Sequence, residues 1–160
     1  MKKNKESIKA VGIWSLRKFQ NQEAFQNNMP YFSEIIGKNI LLNGGINELW
    51  TILCSAGGTK YDNDNAWLFV GTDATPAEAT QDELLGSPVG KAVDDGFPTF
   101  GTDEKATWQS TFNGAEANQD WNEFALTNGE TGIYFNRLVS DQGTKISGQI
   151  WQLQLEITLS

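Results

Sequence analysis

The chain has no histidine and a single cysteine, Cys54, in 160 residues. Without imidazole, every mechanism that uses it as base, proton shuttle or metal ligand is excluded. One thiol cannot make an intrachain disulfide framework or a cysteine-rich zinc site. Long apolar runs are also missing. The longest, at residues 40–42 and 67–70, are far too short to span a membrane. Residues 1–5 are basic, but Lys9, Gly12 and Ser15 interrupt the stretch that follows, so no signal-peptide core is expected and the chain reads as a soluble protein made in a cytoplasm.

Apolar residues are scarce at 39% and charged ones stand at only 20%. Amides and hydroxyls fill the space, with 14 Asn, 10 Gln, 13 Thr and 9 Ser. Such a surface is wet and rich in hydrogen-bonding groups. Six Trp, nine Phe and three Tyr still supply enough apolar area to drive folding, which argues against disorder. The length suits one domain with a core that needs no disulfide or structural metal.

The net charge of −8 is unevenly spread. Residues 1–18 carry Lys2, Lys3, Lys5, Lys9, Arg17 and Lys18 against Glu6, a local balance of +5, which leaves −13 on the rest. A basic arm on an acidic body suggests an N-terminus that reaches an acidic partner, with Trp14 as an apolar anchor within it. A plain solvated terminus is the alternative. The acidic body would repel phosphate, so nucleic acid is not an expected partner.

Residues 8–16 alternate loosely and predict a strand, and residues 19–30 read as an amide-rich connector. Ile46, Leu49, Trp50 and Leu53 fall at helical spacing before Gly57-Gly58, which predicts one helix near residues 46–54 with these side chains and Cys54 on its buried side. Pro76 predicts a second, short helical segment toward Leu85. Residues 66–70, 105–113, 121–126 and 131–139 read as strands, and Asn128-Gly129 as part of a hairpin loop longer than two residues. The clearest strand is the last, where Trp151, Leu153, Leu155, Ile157 and Leu159 alternate with polar residues. About seven short strands without βα alternation predict a mainly β chain, an antiparallel β-sandwich or jelly roll. The expected organisation is a basic arm and connector over residues 1–35 and a sandwich domain over 36–160.

Chemistry-bearing motifs are few. Asp62-Asn63-Asp64-Asn65 opens like a calcium loop and Asp73 stands at its twelfth position. Ala66 and Trp67 occupy the places of an oxygen ligand and the turn glycine, which favours an Asx-rich turn and leaves Asp62, Asp64 and Asp73 as weak metal candidates. Asp120 and Glu123 flank Trp121 as a glycosidase pair might, but strand geometry points them to opposite faces, so solvated edge charges explain them better. No cofactor is expected. Trp50, Trp108 and Trp151 fit core positions, whereas Trp14, Trp67 and Trp121 are open to a role as interface anchor or carbohydrate platform.

Several segments occur in a telling order: Asn43-Gly44-Gly45-Ile46-Asn47-Glu48-Leu49-Trp50, then Asn63-Asp64-Asn65-Ala66-Trp67-Leu68-Phe69-Val70-Gly71, then Thr80-Gln81-Asp82-Glu83-Leu84. Ala115-Glu116-Ala117-Asn118-Gln119-Asp120-Trp121-Asn122-Glu123 follows, with Gly143-Thr144-Lys145 leading to the final Ile157-Thr158-Leu159-Ser160. Over about residues 36–160 the chain resembles virion structural proteins of tailed bacteriophages. The resemblance implies a non-enzymatic β-sandwich in the virion, most readily a capsid-decoration (cement) protein on the outer head surface. A tail or neck fibre or collar protein is the second reading, and a host-glycan-binding module a third. The partners implied are the major capsid protein or other virion proteins, and other copies of the chain, for which a trimer at local threefold positions is the natural arrangement.

Overall fold

Alternation sets the first strand, β1 (Ala10–Phe19), in the computed structural model, which describes residues 8–160. Trp14 and Leu16 turn inward from it and are fully buried. β1 lies between β2 (Phe32–Lys38) and β10 (Ile150–Leu159), and pairs with β10 over its whole length, from Ala10 opposite Leu159 to Phe19 opposite Ile150. β7 (Lys105–Phe112) and the edge strand β6 (Thr99–Thr102) complete a sheet in the order β2-β1-β10-β7-β6. The second sheet runs β3 (Ile40–Leu41), β9 (Asn136–Val139), β8 (Glu123–Thr127), β4 (Trp67–Gly71), β5 (Val89–Ala92). All named pairings are antiparallel. The inner faces of the two five-stranded sheets meet in one apolar core, so the fold is a β-sandwich, as expected.

Trp121 is central to that core. Its ring meets Trp151 at 4.8 Å and Phe112 at 5.0 Å, both edge to face, and its indole N–H donates to the Ala117 carbonyl. Trp121 is therefore a packing residue and no carbohydrate platform. Trp14 lies 6.0 Å from Phe124 in the same core, which removes it from any partner surface. The boundary expected at residues 35 and 36 falls inside β2, and β1 is interior to a sheet. The N-terminal segment is thus part of the sandwich from Ala10 onward, because β10 needs a partner on each side.

Two connectors differ from expectation. Residues 19–30 include a short helix, α1 (Gln22–Gln26), whose first turn is capped by Asn21 accepting from the Ala24 N–H, while Phe25 packs edge-on against Phe19 at 5.1 Å. Residues 76–85 contain no helix. The Thr75 and Pro76 carbonyls accept instead from Arg137 Nη1, at 3.0 and 3.3 Å.

That contact belongs to the main polar feature of the fold. Glu123 and Arg137 are both completely buried on the outer face of the second sheet and pair at 2.8 Å. Glu123 is no edge charge: the loop over residues 72–88 covers it. Its carboxylate accepts from the backbone N–H groups of Leu85 at 3.0 Å and Gly86 at 2.6 Å. Arg137 also donates to Gln81 Oε1 at 2.9 Å and lies 3.6 Å from Asp73. The paired charges thus hold the loop at both ends, and Leu84 from its middle packs on Phe69 and Ala125.

Removing one partner strands the other in a dry site. Arg137→Met should lower unfolding free energy by about 3–5 kcal/mol. The double variant Arg137→Met/Glu123→Gln should recover part of that loss. Urea unfolding of the three proteins checks both statements, and equal stability of single variant and wild type would contradict them.

Candidate functional site

The 12-residue helix α2 (Asn43–Cys54) crosses from β3 toward β4, and it is packed by its polar and small side. Gly45 and Glu48 are its buried residues. A Cβ on Gly45 would fall 2.4 Å from the Cα of Phe135, so only glycine permits this approach to the backbone just before β9. Glu48 accepts from the Thr59 N–H at 2.7 Å and from Asn128 Nδ2 at 3.0 Å. Asn128 in turn donates to the Thr59 carbonyl and accepts from the Ile133 N–H, which ties helix and two loops together.

Of the side chains expected on the buried side, Ile46 is half-buried and the others face solvent. Leu49, Trp50 and Leu53 are 43%, 57% and 70% exposed, and Cys54 is exposed as well. Beside them Phe100, on the edge strand β6, is 74% exposed. Leu49 lines two apolar clefts of about 450 and 490 Å³ at this end of the sandwich. The first reaches Phe100, Trp108 and Phe135; the second reaches Trp108, Phe135 and Leu159. Scattered apolar residues on a surface are ordinary, but here Leu49 joins the exposed helix residues to two open clefts that reach the edge strand, which makes a contiguous exposed apolar surface.

A second concavity lies on the outer face of the second sheet. Trp67 and Phe69 point outward from β4, while Leu68 and Val70 enter the core. With Tyr134 they line a trough of about 780 Å³, rimmed by Asp82 and Glu83 from the 72–88 loop and by Glu130. Burial, then the nearby Glu83 and Glu123 carboxylates, raises the Tyr134 phenol above its ordinary pKa, so it stays protonated.

The basic residues expected to form a partner surface are dispersed. Lys2, Lys3 and Lys5 lie outside the described residues. Lys9 is exposed. Arg17 donates to Gln152 at 3.1 Å and to Asn28. Lys18 is nearly buried, donates to the Gln142 carbonyl at 2.6 Å and lies over the Phe32 and Trp151 rings, with desolvation lowering its pKa. Arg17 and Lys18 are thus occupied within the fold.

The calcium-loop acids do not converge either. Asp62 accepts from Asn65 Nδ2, and Asp73 is held below the usual carboxylate range, first by hydrogen bonding from Thr75. Among the described residues no group of three or more His, Cys, Asp or Glu could hold a metal ion. Likewise, no helix of the described residues is long and apolar enough to cross a membrane. Asp120 is exposed and accepts from the Thr144 hydroxyl.

Sequence reasoning missed Lys145. Its ammonium is buried and donates to the Asn113 carbonyl, the Glu116 carbonyl and Asn118 Oδ1 at 2.7–2.9 Å. No family model, curated protein or solved structure matches this chain.

Desolvation lowers the Lys145 pKa to about 8 from the ordinary 10.5. Between these values the unfolded chain binds more protons than the folded one, so the contribution of this lysine to stability rises with pH. Tyr61 and Tyr134, whose phenols are raised, act in the opposite direction above pH 10. Melting temperature should therefore climb for the wild type relative to Lys145→Met from pH 8 to about 10. Parallel melting curves for the two proteins across that window would rule the assignment out.

Proposed function

We propose that the chain is a non-enzymatic virion structural protein of a tailed phage, a capsid-decoration protein that docks on the outer head surface through the apolar face of α2. The observation that carries this reading is the orientation of that helix. A glycine and a hydrogen-bonded glutamate hold it to the sandwich, so Leu49, Trp50 and Leu53 remain available for a partner. Large exposed apolar side chains, one of them (Leu49) lining the clefts, are what anchors of a protein interface look like, with the surrounding amide-rich surface as the polar rim. The resemblance to bacteriophage virion proteins favours a shell protein as the partner, and the helix face calls for an apolar ridge on it. Lys2, Lys3 and Lys5 add a basic segment that would favour a partner carrying acidic groups.

The edge strand β6, with Phe100 outward, suits the same docking, because an unpaired edge can accept a strand from a neighbour. A tail or neck position is the second reading. Copy number separates the two: hundreds of copies per purified particle fit head decoration, and about a dozen or fewer fit the tail or neck.

Trp50→Ser/Leu53→Ser should leave the fold intact, since neither side chain enters the core, and should weaken association with purified particles at least tenfold. Lys2→Gln/Lys3→Gln/Lys5→Gln should weaken association less, and only at low salt. Co-sedimentation with particles stripped of the native protein measures both. Unchanged binding of the α2 variant would overturn the docking face.

A further inference from the structure

The trough on the outer face of the second sheet shares no lining residue with the clefts beside α2 and is built differently. Its floor is a row of rings lying along the sheet. Phe69 stands opposite Gly90 of β5, and a Cβ on Gly90 would fall 2.3 Å from the ring's Cζ, so the ring lies flat across the neighbouring strand. The Trp67 ring follows at 6.2 Å with its plane inclined by only 32°, and Tyr134 lies on the other side at 5.7 Å. Phe69 is itself buried beneath Leu84, so Trp67 and Tyr134 are the rings that form the shelf. Its walls come from loops, and the buried Glu123–Arg137 pair holds the 72–88 wall in place, with Leu84 seated on Phe69.

We propose that this trough binds an uncharged carbohydrate, with a sugar ring laid on Trp67 and its hydroxyls directed to Asp82, Glu83 and Glu130. A pyranose has an apolar C–H face and a rim of hydroxyl donors. The shelf offers the first an aromatic plane and the second a set of acceptors. The Tyr134 hydroxyl is one donor for a ring or glycosidic oxygen. The volume, about 780 Å³, holds a short oligosaccharide, and it lies in the usual range for ligand sites.

Charge narrows the class. No Lys or Arg among the described residues lines the trough, and its three carboxylates repel sialylated, sulfated or uronic sugars. A cationic side chain would answer the carboxylates, but a cation is best held by rings that close around it within about 6 Å. Rings set side by side at 6.2 and 5.7 Å, with interplanar angles of 32° and 50°, form an open row along the sheet and do not close into such a cage. A flat amphipathic ligand is therefore the better match. The inference is independent of the docking role: the two surfaces are lined by different residues, and each fails by its own experiment.

Isothermal titration of the full chain with neutral hexasaccharides of α-linked glucose, β-linked glucose and N-acetylglucosamine, backed by a printed panel of neutral and anionic glycans, tests it. Polysialic acid and hexalysine serve as the anionic and cationic arms. At least one neutral glycan should bind saturably, and Trp67→Ala should weaken it at least tenfold. Asp82→Asn/Glu83→Gln should weaken it several-fold, with Trp50→Ser/Leu53→Ser binding as the wild type does. The acid-to-amide variant touches only exposed side chains, so it carries the test if Trp67→Ala does not fold. Binding of hexalysine alone, binding of anionic glycans alone, binding of no glycan on the panel, or binding indifferent to these substitutions would each overturn the proposal.

Discussion

The buried Glu123–Arg137 pair is the constraint on which the second sheet depends. A charged pair withdrawn from water is costly, and it persists only when every lone pair and proton is answered. Here the answers come from the loop: the Leu85 and Gly86 amides on the carboxylate, and the Thr75 and Pro76 carbonyls with Gln81 on the guanidinium. The satisfaction of the pair and the folding of a long irregular loop are therefore one event. That loop in turn covers β8, all five of whose residues are buried, and raises a wall over the aromatic row of β4.

Polar pinning recurs elsewhere. Glu48 seats α2 through Thr59 and Asn128, and Lys145 gathers the 113–118 turn around its ammonium. In each case one buried ionic or amide group organises backbone that has no regular ladder of its own. This explains how a chain with few apolar residues keeps long loops ordered. Its amides and hydroxyls are not only a wet surface but also partners for the loop backbone. It also explains how α2 can turn its apolar side chains outward and still be held in place.

The strands with one dry face were legible in the sequence. Strict alternation through Trp151, Leu153, Leu155 and Ile157 identifies β10, and the run at 105–113 identifies β7. The helix was legible as a helix but its orientation was not. Spacing says that Leu49, Trp50 and Leu53 share a side, and nothing in spacing says whether that side meets a core or a partner. Gly45 and Glu48, on the flank next to Leu49, were the available signal: a glycine where a backbone must approach closely, and an acid that accepts from the neighbouring loops. Glu123 resembled an edge charge because its partner is 14 residues away and its cover lies 37 residues upstream, at Gly86. Pro76 satisfied the rule for a helix start, yet the carbonyls a helix would have used were taken by Arg137. The basic arm was read from composition alone, and composition could not show that β10 claims residues 10–19 as a strand.

The two proposed roles use different surfaces of the described residues, the apolar face of α2 and the aromatic shelf on the outside of the second sheet. The docking face is the central claim. Hydroxyl-radical footprinting of the chain, free and on intact particles, tests it most directly. Trp50, Leu53 and Phe100 should be oxidised readily in the free protein and protected on the particle, while Ile35 on the opposite edge strand β2 and Met29 in the connector before it keep their reactivity. Equal oxidation of Trp50, Leu53 and Phe100 in both states would contradict it.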